Sequence, residues 1–263
     1  MSTENIKSIE EWTKAIELDP TNWELYLDRG ESYFNAELYD EALSDCNKTI
    51  ELAPGNSWGN EQRGKIYART GQHEKLMSYG IKAIEADHSY GIHFLEYHGC
   101  ASEYKRLKQY DKALEVYTNG IEFAHDDASH FYVAMLYLGR ARVYAELNQS
   151  EKALEDYSKD IELAVLEGKK RCATAYYGRG NYFKDLKRYD EAMSDYNKAI
   201  ELEPDGLSLM YPQGLVYQAR GILYEIQGLH DKALADYKKA IELEATHPAH
   251  EEARKRLDAL LEE

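Results

Sequence analysis

The stretch Arg29-Gly30-Glu31-Ser32-Tyr33 decides the fold, because it returns 34 residues later as Arg63-Gly64-Lys65-Ile66-Tyr67. Shorter copies occur at Arg179-Gly180 and Arg220-Gly221, and both are followed by a phrase of the form Asp-Tyr-Xaa-Lys-Ala-Ile-Glu-Leu. A repeat of about 34 residues with this composition is typical of a helix–turn–helix unit. Such a unit cannot bury its apolar face alone, so neighbouring units must stack on it. The repeat therefore predicts an all-α array of stacked helix pairs.

Composition limits the partners of this chain. Its 263 residues carry a net charge of −16, and 43% of them are hydrophobic. An acidic surface repels the phosphates of nucleic acid and of anionic membranes, so we expect neither as a partner. The first residues lack a basic region followed by an apolar run, which is how a secretory signal would look. Three widely spaced cysteines, Cys46, Cys100 and Cys172, fit buried thiols in a reducing compartment, and we expect a cytoplasmic protein.

The spacing of large and small residues within the repeat resembles that of the tetratricopeptide repeat family. In that family, small residues at positions 8, 20 and 27 let two antiparallel helices approach, and aromatic residues at 11 and 24 fill the space around them. The fifth repeat shows this pattern with Tyr176, Gly180, Phe183, Tyr189, Ala192, Tyr196, Ala199 and Pro204. The resemblance implies a right-handed α-α superhelix, a solenoid whose concave face binds a segment of another protein.

Six such repeats account for almost the whole chain, which we interpret as a single array over residues 1–263. The predicted segments are a half-repeat at 1–22, repeats at 23–56, 57–93, 94–133, 134–172, 173–213 and 214–245, and a capping helix at 246–263. The spacing between repeats widens from 34 to 41 residues along the chain, and the extra residues precede first helices. We therefore expect longer first helices in repeats three to six.

Charged residues also recur inside the repeat. Position 7 is arginine in five repeats, and position 23 is aspartate in four of those five. Because arginine can hold a carboxylate through two parallel hydrogen bonds, this spacing predicts bridges between the paired helices. The predicted pairs are Arg29–Asp45, Arg140–Asp156, Arg179–Asp195 and Arg220–Asp236. Arg63 has Tyr79 at that spacing, so we expect it to pair with Asp45 instead. The alternative interpretation is that the arginines at position 7 bind a ligand.

First helices line the inner curve of such a solenoid, so positions 2, 5, 9, 12 and 13 should face a groove. In repeats two to four these positions hold five cationic residues against two acidic ones, Glu61 and Glu146. We therefore expect the groove to bind a peptide or helical segment of a partner protein, with acidic character. A solvated surface with clustered charges is the alternative. The expected groove residues are Trp58, Lys65, Arg69, Leu95, His98, Lys105, Arg106, Leu138, Arg142, Tyr177 and Asn181.

One subgroup of the family holds the C-terminal carboxylate of heat-shock chaperones with lysine, asparagine and arginine at fixed positions. The corresponding positions of repeats one to three hold Leu27, Glu31, Gln62, Leu95 and Gly99. We therefore expect no chaperone-tail binding of that kind.

We expect no catalytic, cofactor or metal site. No Ser-His-Asp or Cys-His set stands out, and Gly178-Arg179-Gly180 lies inside a predicted helix rather than in a phosphate-binding loop. His88, His93 and His98 are five residues apart, which puts successive side chains about 140° apart around a helix. The sequence therefore favours a non-catalytic scaffold or adaptor that is monomeric or weakly self-associating. The alternatives are a self-assembling module, stacked through Ile9 and Trp12, and a regulatory domain of a longer enzyme or sensor.

Overall fold

The computed structural model describes residues 3–54, 57–72, 74–75, 90–124, 130–203, 214–243 and 249–262. Within these ranges the regular elements are 13 α-helices, so the expected all-α class is confirmed. The chain divides into two compact units, Met1–Ala153 and Leu154–Glu263. The boundaries of the repeats and their union in one array stay predictions. Tyr79, His88, Pro204 and the predicted helix start at 246–248 lie outside the described residues.

The described helices follow the order of the predicted repeats. The N-terminal unit contains α1 (Thr3–Leu18), α2 (Trp23–Asn35), α3 (Tyr39–Leu52), α4 (Ser57–Thr70), α5 (Tyr90–Arg106), α6 (Tyr110–Glu122) and α7 (His130–Glu146). Helix α8 (Ser150–Glu167) begins in this unit and ends in the next. The C-terminal unit continues with α9 (Lys169–Asp185), α10 (Tyr189–Leu202), α11 (Gly214–Ile226), α12 (His230–Leu243) and α13 (Ala249–Glu262). The first helices of repeats one to six are therefore α2, α4, α5, α7, α9 and α11.

First-helix length follows the sequence spacing in most repeats. Helices α5, α7 and α9 have 17 residues each, against 13 in α2 and 14 in α4, so the expected lengthening is confirmed for repeats three to five. For repeat six the expectation stays a prediction, because α11 has 13 described residues and the residues before it are not described. That helix begins at Gly214, and the preceding residues 204–213, which carry the additional length of the repeat, lie outside the described ranges.

Each first helix ends at a residue whose backbone has the left-handed conformation. Position 15 of every repeat has a φ between 57° and 70°, at Glu37, Gly71, Lys108, Asn148, Lys187 and Gly228. The next residue donates its N–H to the carbonyl of the aromatic residue at position 11, as from Leu38 to Tyr33 at 2.9 Å and from Leu229 to Tyr224 at 2.8 Å. This six-to-one hydrogen bond satisfies a carbonyl that the helix end would otherwise leave unpaired. The turn therefore reverses the chain after the same number of residues in each repeat.

Small residues let the paired helices approach closely. The alanines at position 20 have no exposed surface: Ala42, Ala113, Ala153, Ala192 and Ala233. At position 8, a Cβ on Gly180 would lie 2.8 Å from the ring of Tyr196, and one on Gly221 would lie 2.7 Å from the ring of Tyr237. The aromatic residue at position 24 therefore occupies the space that a side chain at position 8 would need.

Each unit has apolar clusters formed by this packing. In the N-terminal unit, Tyr97, Tyr104 and Tyr117 are buried between the helices of repeats two to four. In the C-terminal unit, Leu257 and Leu260 of α13 pack against the buried Tyr237, so α13 covers the last helix pair as a capping helix should. At the other end, α1 packs on α2, with Ile9 and Trp12 half-buried.

The predicted arginine–aspartate bridges are confirmed for three pairs. Arg29 donates from Nε and Nη2 to the carboxylate of Asp45 at 2.7 Å each. Arg179 reaches Asp195 at 2.8 and 2.9 Å, and Arg220 reaches Asp236 at 2.7 and 2.8 Å. Each guanidinium also lies over two aromatic rings, with centroid distances of 5.5–5.7 Å. The pair Arg140–Asp156 stays a prediction.

The third donor of these arginines reaches the preceding repeat, a feature that the sequence pattern did not predict. Nη1 of Arg179 donates to Ser158 at 3.0 Å, and Nη1 of Arg220 donates to Asn197 at 2.8 Å. The same bond joins Arg29 to Thr13, Arg63 to Asn47 and Arg140 to Thr118, at 2.9–3.2 Å. All five acceptors are serine, threonine or asparagine at position 25, two residues after the site of the aspartate. One arginine therefore links a helix pair internally and also fixes it against the preceding second helix.

The expected partner of Arg63 was wrong. Arg63 makes its ion pair with Glu96 of α5 instead of Asp45, and Asp45 is fully engaged by Arg29. Glu96 is completely buried, and burial raises its pKa while Arg63 opposes that rise. Because repeat two has Tyr79 at the position where repeats one, four, five and six have aspartate, its arginine takes a carboxylate from the next first helix.

Replacement of Asp195 by asparagine tests the bridge. Asp195→Asn leaves the Arg179 guanidinium without its anion, and we expect a loss of about 2–3 kcal/mol in the free energy of unfolding. The measurement is urea denaturation followed by circular dichroism. Asp185→Asn, an exposed site on α9, is the control and should change the urea midpoint little. Equal midpoints for the two variants would contradict the bridge.

Two glycines on the same helix, α9, test the close packing. Gly180→Ala should destabilise the protein by about 1–3 kcal/mol because the new methyl group collides with Tyr196. A methyl group at Gly178 would meet no neighbouring side chain or helix within 4 Å, so Gly178→Ala should stabilise the helix by about 0.5–1 kcal/mol. Thermal unfolding of both variants measures the difference. A stabilising Gly180→Ala substitution would rule out the packing described here.

Candidate functional site

The expected groove residues fall into two groups, one in each compact unit. Nine of them lie on α4, α5 and α7 of the N-terminal unit, where α5 packs against both α4 and α7. The other two, Tyr177 and Asn181, lie on α9 of the C-terminal unit. The first helices of repeats two to four therefore form a continuous surface, which we call the inner face.

Most cations of the inner face are paired with carboxylates. Lys65 lies 2.9 Å from Glu61 on the same helix. Arg69 of α4 and Arg106 of α5 both bind Glu103, at 2.5 and 2.7 Å. Burial would raise the pKa of Glu103, but hydrogen bonds from Arg106 and Arg69 hold that pKa below its usual value. Glu103 is 5% exposed, so this carboxylate joins two helices beneath the surface.

A second bridge joins α5 to α7. Lys105 lies 3.0 Å from Glu146, which also accepts a hydrogen bond of 2.8 Å from the hydroxyl of Tyr110. The bonds from Lys105 and Tyr110 lower the pKa of Glu146, so it stays ionised. Glu146 was already in the sequence count, so it is the uncounted carboxylate of Glu103 that leaves the inner face less basic than that count indicated. That count missed Glu103, whose three-residue spacing from Arg106 was the available signal.

Arg142 differs from the other cations. Its side chain is exposed on α7, and no described residue forms an ion pair with it. Burial lowers the pKa of His98 and raises the pKa of Tyr117, and at both groups the charge of Arg142 acts in the downward direction. Arg142 is therefore the cation of the inner face that is available to an incoming anion.

His98 lies in the centre of the inner face. Its ring is 6.3 Å from the ring of Tyr117, and its Nδ1 is buried without a hydrogen-bond partner in the described part of the chain. Burial lowers the pKa of His98, Glu61 raises it, and the charges of Arg142 and Lys65 lower it further. The net effect is a lowered pKa, so the imidazole is neutral at neutral pH.

The three apolar residues expected in the groove differ from one another in how much of their surface is exposed. Trp58 is 62% exposed and presents most of its indole ring to solvent. Leu138 is half-buried on α7. Leu95 is only 7% exposed and packs inside the unit, so its expected position facing the groove was wrong.

Tyr177 and Asn181 of the C-terminal unit both contact Tyr196. The rings of Tyr177 and Tyr196 are 6.1 Å apart, and the Tyr196 hydroxyl donates to the side-chain oxygen of Asn181 at 2.8 Å. Burial raises the pKa of Tyr196, so its proton stays in place. The packing of Tyr196 therefore orients the exposed edges of both residues.

The described residues also bear on metal binding and thiol chemistry. Within them, no group of three or more His, Cys, Asp or Glu side chains is arranged to hold a metal ion. Cys46, Cys100 and Cys172 are buried free thiols, and burial raises the pKa of Cys46 and of Cys100 to about 12. Such thiols are poor nucleophiles. Over the same ranges, no helix has the length and apolar character to cross a bilayer.

Sequence models of the tetratricopeptide repeat match three parts of the chain. The matched residues are 11–44, 173–205 and 215–247. The segments 173–205 and 215–247 fall on the predicted fifth and sixth repeats, and 11–44 spans the end of the predicted half-repeat and the first part of repeat one. The bridges Arg29–Asp45, Arg179–Asp195 and Arg220–Asp236 are formed in repeats one, five and six.

Curated relatives share short segments with the chain. Hsp70-Hsp90 organizing protein 2 of Arabidopsis thaliana is 44% identical over 52 residues, which cover 20% of this chain and 9% of the relative. Heat shock protein STI1 of Saccharomyces cerevisiae is 34% identical over 84 residues, which cover 32% of this chain and 14% of the relative. The chain therefore spans less than a fifth of the length of these two relatives.

Solved structures share the fold over most of the chain. The crystal structure of BtubC from P. vanneervenii superimposes with a TM-score of 0.58 and 17% identity, covering 93% of this chain and 91% of that one. At this level of identity the likeness concerns the fold, a repeat of helix pairs.

Acidification tests the environment of His98. Its folded-state pKa lies below the unfolded value of 6.5, so the unfolded chain binds the proton more readily. This contribution to stability is present above about pH 6.5 and is lost as the pH falls towards the folded-state pKa. We expect His98→Gln to reduce the fall in urea midpoint between pH 7.5 and 5.5. An equal fall in the native protein and the variant would contradict a buried neutral imidazole.

Proposed function

We propose that this chain, a tetratricopeptide repeat protein, is a non-catalytic scaffold that binds an acidic segment of a partner protein on its inner face. Protein–protein interaction is the role of such repeats at the level of the family, and the relatives include proteins named as Hsp70-Hsp90 organizers. Beyond this general role, we propose that the bound segment is acidic and that residues of the inner face hold it.

Arg142 is the observation that carries this proposal. The guanidinium is exposed and has no ion-pair partner among the described residues, while Lys65, Arg69, Lys105 and Arg106 are engaged by carboxylates. An unpaired arginine can hold a carboxylate through two hydrogen bonds without first breaking an internal bridge. A partner carboxylate at Arg142 would therefore gain a charge-assisted interaction at little cost to the protein.

The cations around Arg142 also favour an acidic ligand. Lys105 and Arg106 of α5 keep part of their side chains exposed, and Arg106 has 57% of its side-chain surface accessible. Their bridges are partly solvated, so a second carboxylate can share these donors. Trp58 adds an exposed aromatic surface of the kind that contributes strongly to peptide interfaces.

The proposed ligand is different from the tail of a heat-shock chaperone. Leu27, Glu31 and Gln62 stand where the chaperone-binding subgroup has its lysine and asparagines, and Glu31 would repel a terminal carboxylate. The matched part of the two named relatives covers 14% or less of each, so their partners are not transferred to this chain.

Charge reversal at Arg142 tests the proposed function. Panning of a random dodecapeptide library on the immobilised protein should enrich peptides with aspartate or glutamate. We expect Arg142→Glu to weaken binding of the selected peptides about 10–100-fold, because a charge-assisted hydrogen bond contributes about 1.5–3 kcal/mol. Fluorescence anisotropy of labelled peptides measures the change.

The control variant has the same change of net charge, but at a site away from the inner face. Lys14 of α1 is exposed, and Lys14→Glu should leave the affinity within about twofold at physiological salt because screening weakens distant charges. Enrichment of peptides without acidic residues, or equal affinities for Arg142→Glu and the native protein, would refute the acidic-segment proposal.

A further inference from the structure

We propose that Arg69 and Arg106 form a binding site for a phosphate monoester, carried by a phosphorylated side chain of the acidic segment. This site deepens the proposed function and rests on it, because both arginines belong to the inner face. It names the chemical class of one ligand group, which acidic character alone does not specify.

The two arginines come from two first helices and meet over one buried carboxylate. Arg69 of α4 donates from Nε to Oε1 of Glu103 at 2.5 Å, and Arg106 of α5 donates from Nη2 to the same oxygen at 2.7 Å. Nε of Arg106 donates to the other oxygen, Oε2, at 2.8 Å. Because both guanidinium groups contact one oxygen atom, they lie side by side.

Several donors of this pair are not used by Glu103. Arg69 engages Glu103 through Nε, and among the described residues nothing accepts a hydrogen bond from its Nη1 or Nη2. Nη1 of Arg106 likewise has no acceptor in the described part of the chain. The side chains of Arg69 and Arg106 keep 27% and 57% of their surface exposed, so a ligand can reach these donors.

Contacts with the protein hold both guanidinium groups in place before any ligand binds. The bonds to Glu103 orient both groups from below, since this carboxylate is 5% exposed. The guanidinium of Arg69 also lies 5.5 Å from the centre of the Phe34 ring, which is half-buried on α2. An arginine that is already oriented loses less side-chain freedom on binding, so the site is preformed.

The charge and shape of a phosphate fit this pair better than those of a carboxylate. Glu103 brings one negative charge against two positive ones, so the pair keeps a net positive charge. A carboxylate has two oxygens in one plane and is satisfied by the fork of a single guanidinium. A phosphate monoester has three acceptor oxygens and a charge of about −1.5 to −2 at neutral pH. It can therefore accept hydrogen bonds from both arginines at once.

The overall charge of the chain restricts the source of the phosphate. At a net charge of −16, the protein repels nucleic acids and anionic membranes, which carry many phosphates close together. A single phosphate on a peptide avoids most of this repulsion. A second acidic residue of the same segment can still use Arg142, which is exposed on α7.

Three fluorescein-labelled libraries of degenerate decapeptides test the site. They are identical except for one central residue, which is phosphoserine, glutamate or serine. We expect the phosphoserine library to bind about 10–100-fold more tightly than the glutamate library, because the second arginine adds charge-assisted hydrogen bonds. Fluorescence anisotropy measures the affinities, and inorganic phosphate is titrated as a competitor.

Two variants and one control show whether the arginines cause the preference. Arg69→Lys keeps the positive charge but lacks the planar fork, and Arg106→Gln removes one guanidinium while Arg69 still pairs with Glu103. Each should lower the preference for phosphoserine over glutamate about tenfold. Arg254→Gln, at an exposed site on α13, removes the same charge and should leave the preference within about twofold. Circular dichroism checks that every variant is folded.

The outcomes separate the phosphate site from the proposed function. If the glutamate library binds as tightly as the phosphoserine library, the phosphate site is wrong and the acidic-segment proposal stands. A preference that persists in both Arg69→Lys and Arg106→Gln also overturns the site, because other residues would then hold the phosphate. Inorganic phosphate that binds as tightly as the phosphoserine library overturns it as well, since the site would then take a free ion. No binding by any library, or equal binding by all three, overturns both proposals.

Discussion

The arginine at position 7 of the repeat is the interaction on which the rest of the structure depends. In Arg29, Arg179 and Arg220, two donors hold an aspartate of the same helix pair and a third reaches a polar side chain of the preceding second helix. Aromatic residues three before and four after each arginine cover its guanidinium. One planar side chain therefore closes a helix pair and sets its position against the pair before it.

The inner face lies where this network is interrupted. Repeat three has Cys100 and Val116 in place of the arginine and the aspartate. In this region Arg63 pairs with Glu96, and Arg69 with Glu103, so first helices are joined directly to one another. The carboxylates of these bridges come from α5, and they neutralise cations that would otherwise face a ligand. The interruption thus decides which charges remain available, and Arg142 is an exposed cation of the inner face that has no ion-pair partner among the described residues.

The sequence predicted features that repeat within one helix pair. Small residues such as Gly180 and Ala192, and the bridge from Arg179 to Asp195, follow from a fixed spacing and were confirmed. Contacts between first helices of different repeats were missed, as with Glu103, or assigned wrongly, as with Arg63. The burial of Leu95, which is 7% exposed, was also missed.

By itself, the sequence determined the all-α class and three of the bridges inside helix pairs, because helical periodicity and a turn of constant length place residues 16 apart opposite each other. Only the tertiary structure decided that Arg69 and Arg106 share one buried carboxylate, that Arg142 pairs with none in the part of the chain that is described, and that burial lowers the pKa of His98. These facts depend on distances between helices that are far apart in the chain. Such distances are set by how successive pairs stack, and no local spacing encodes them.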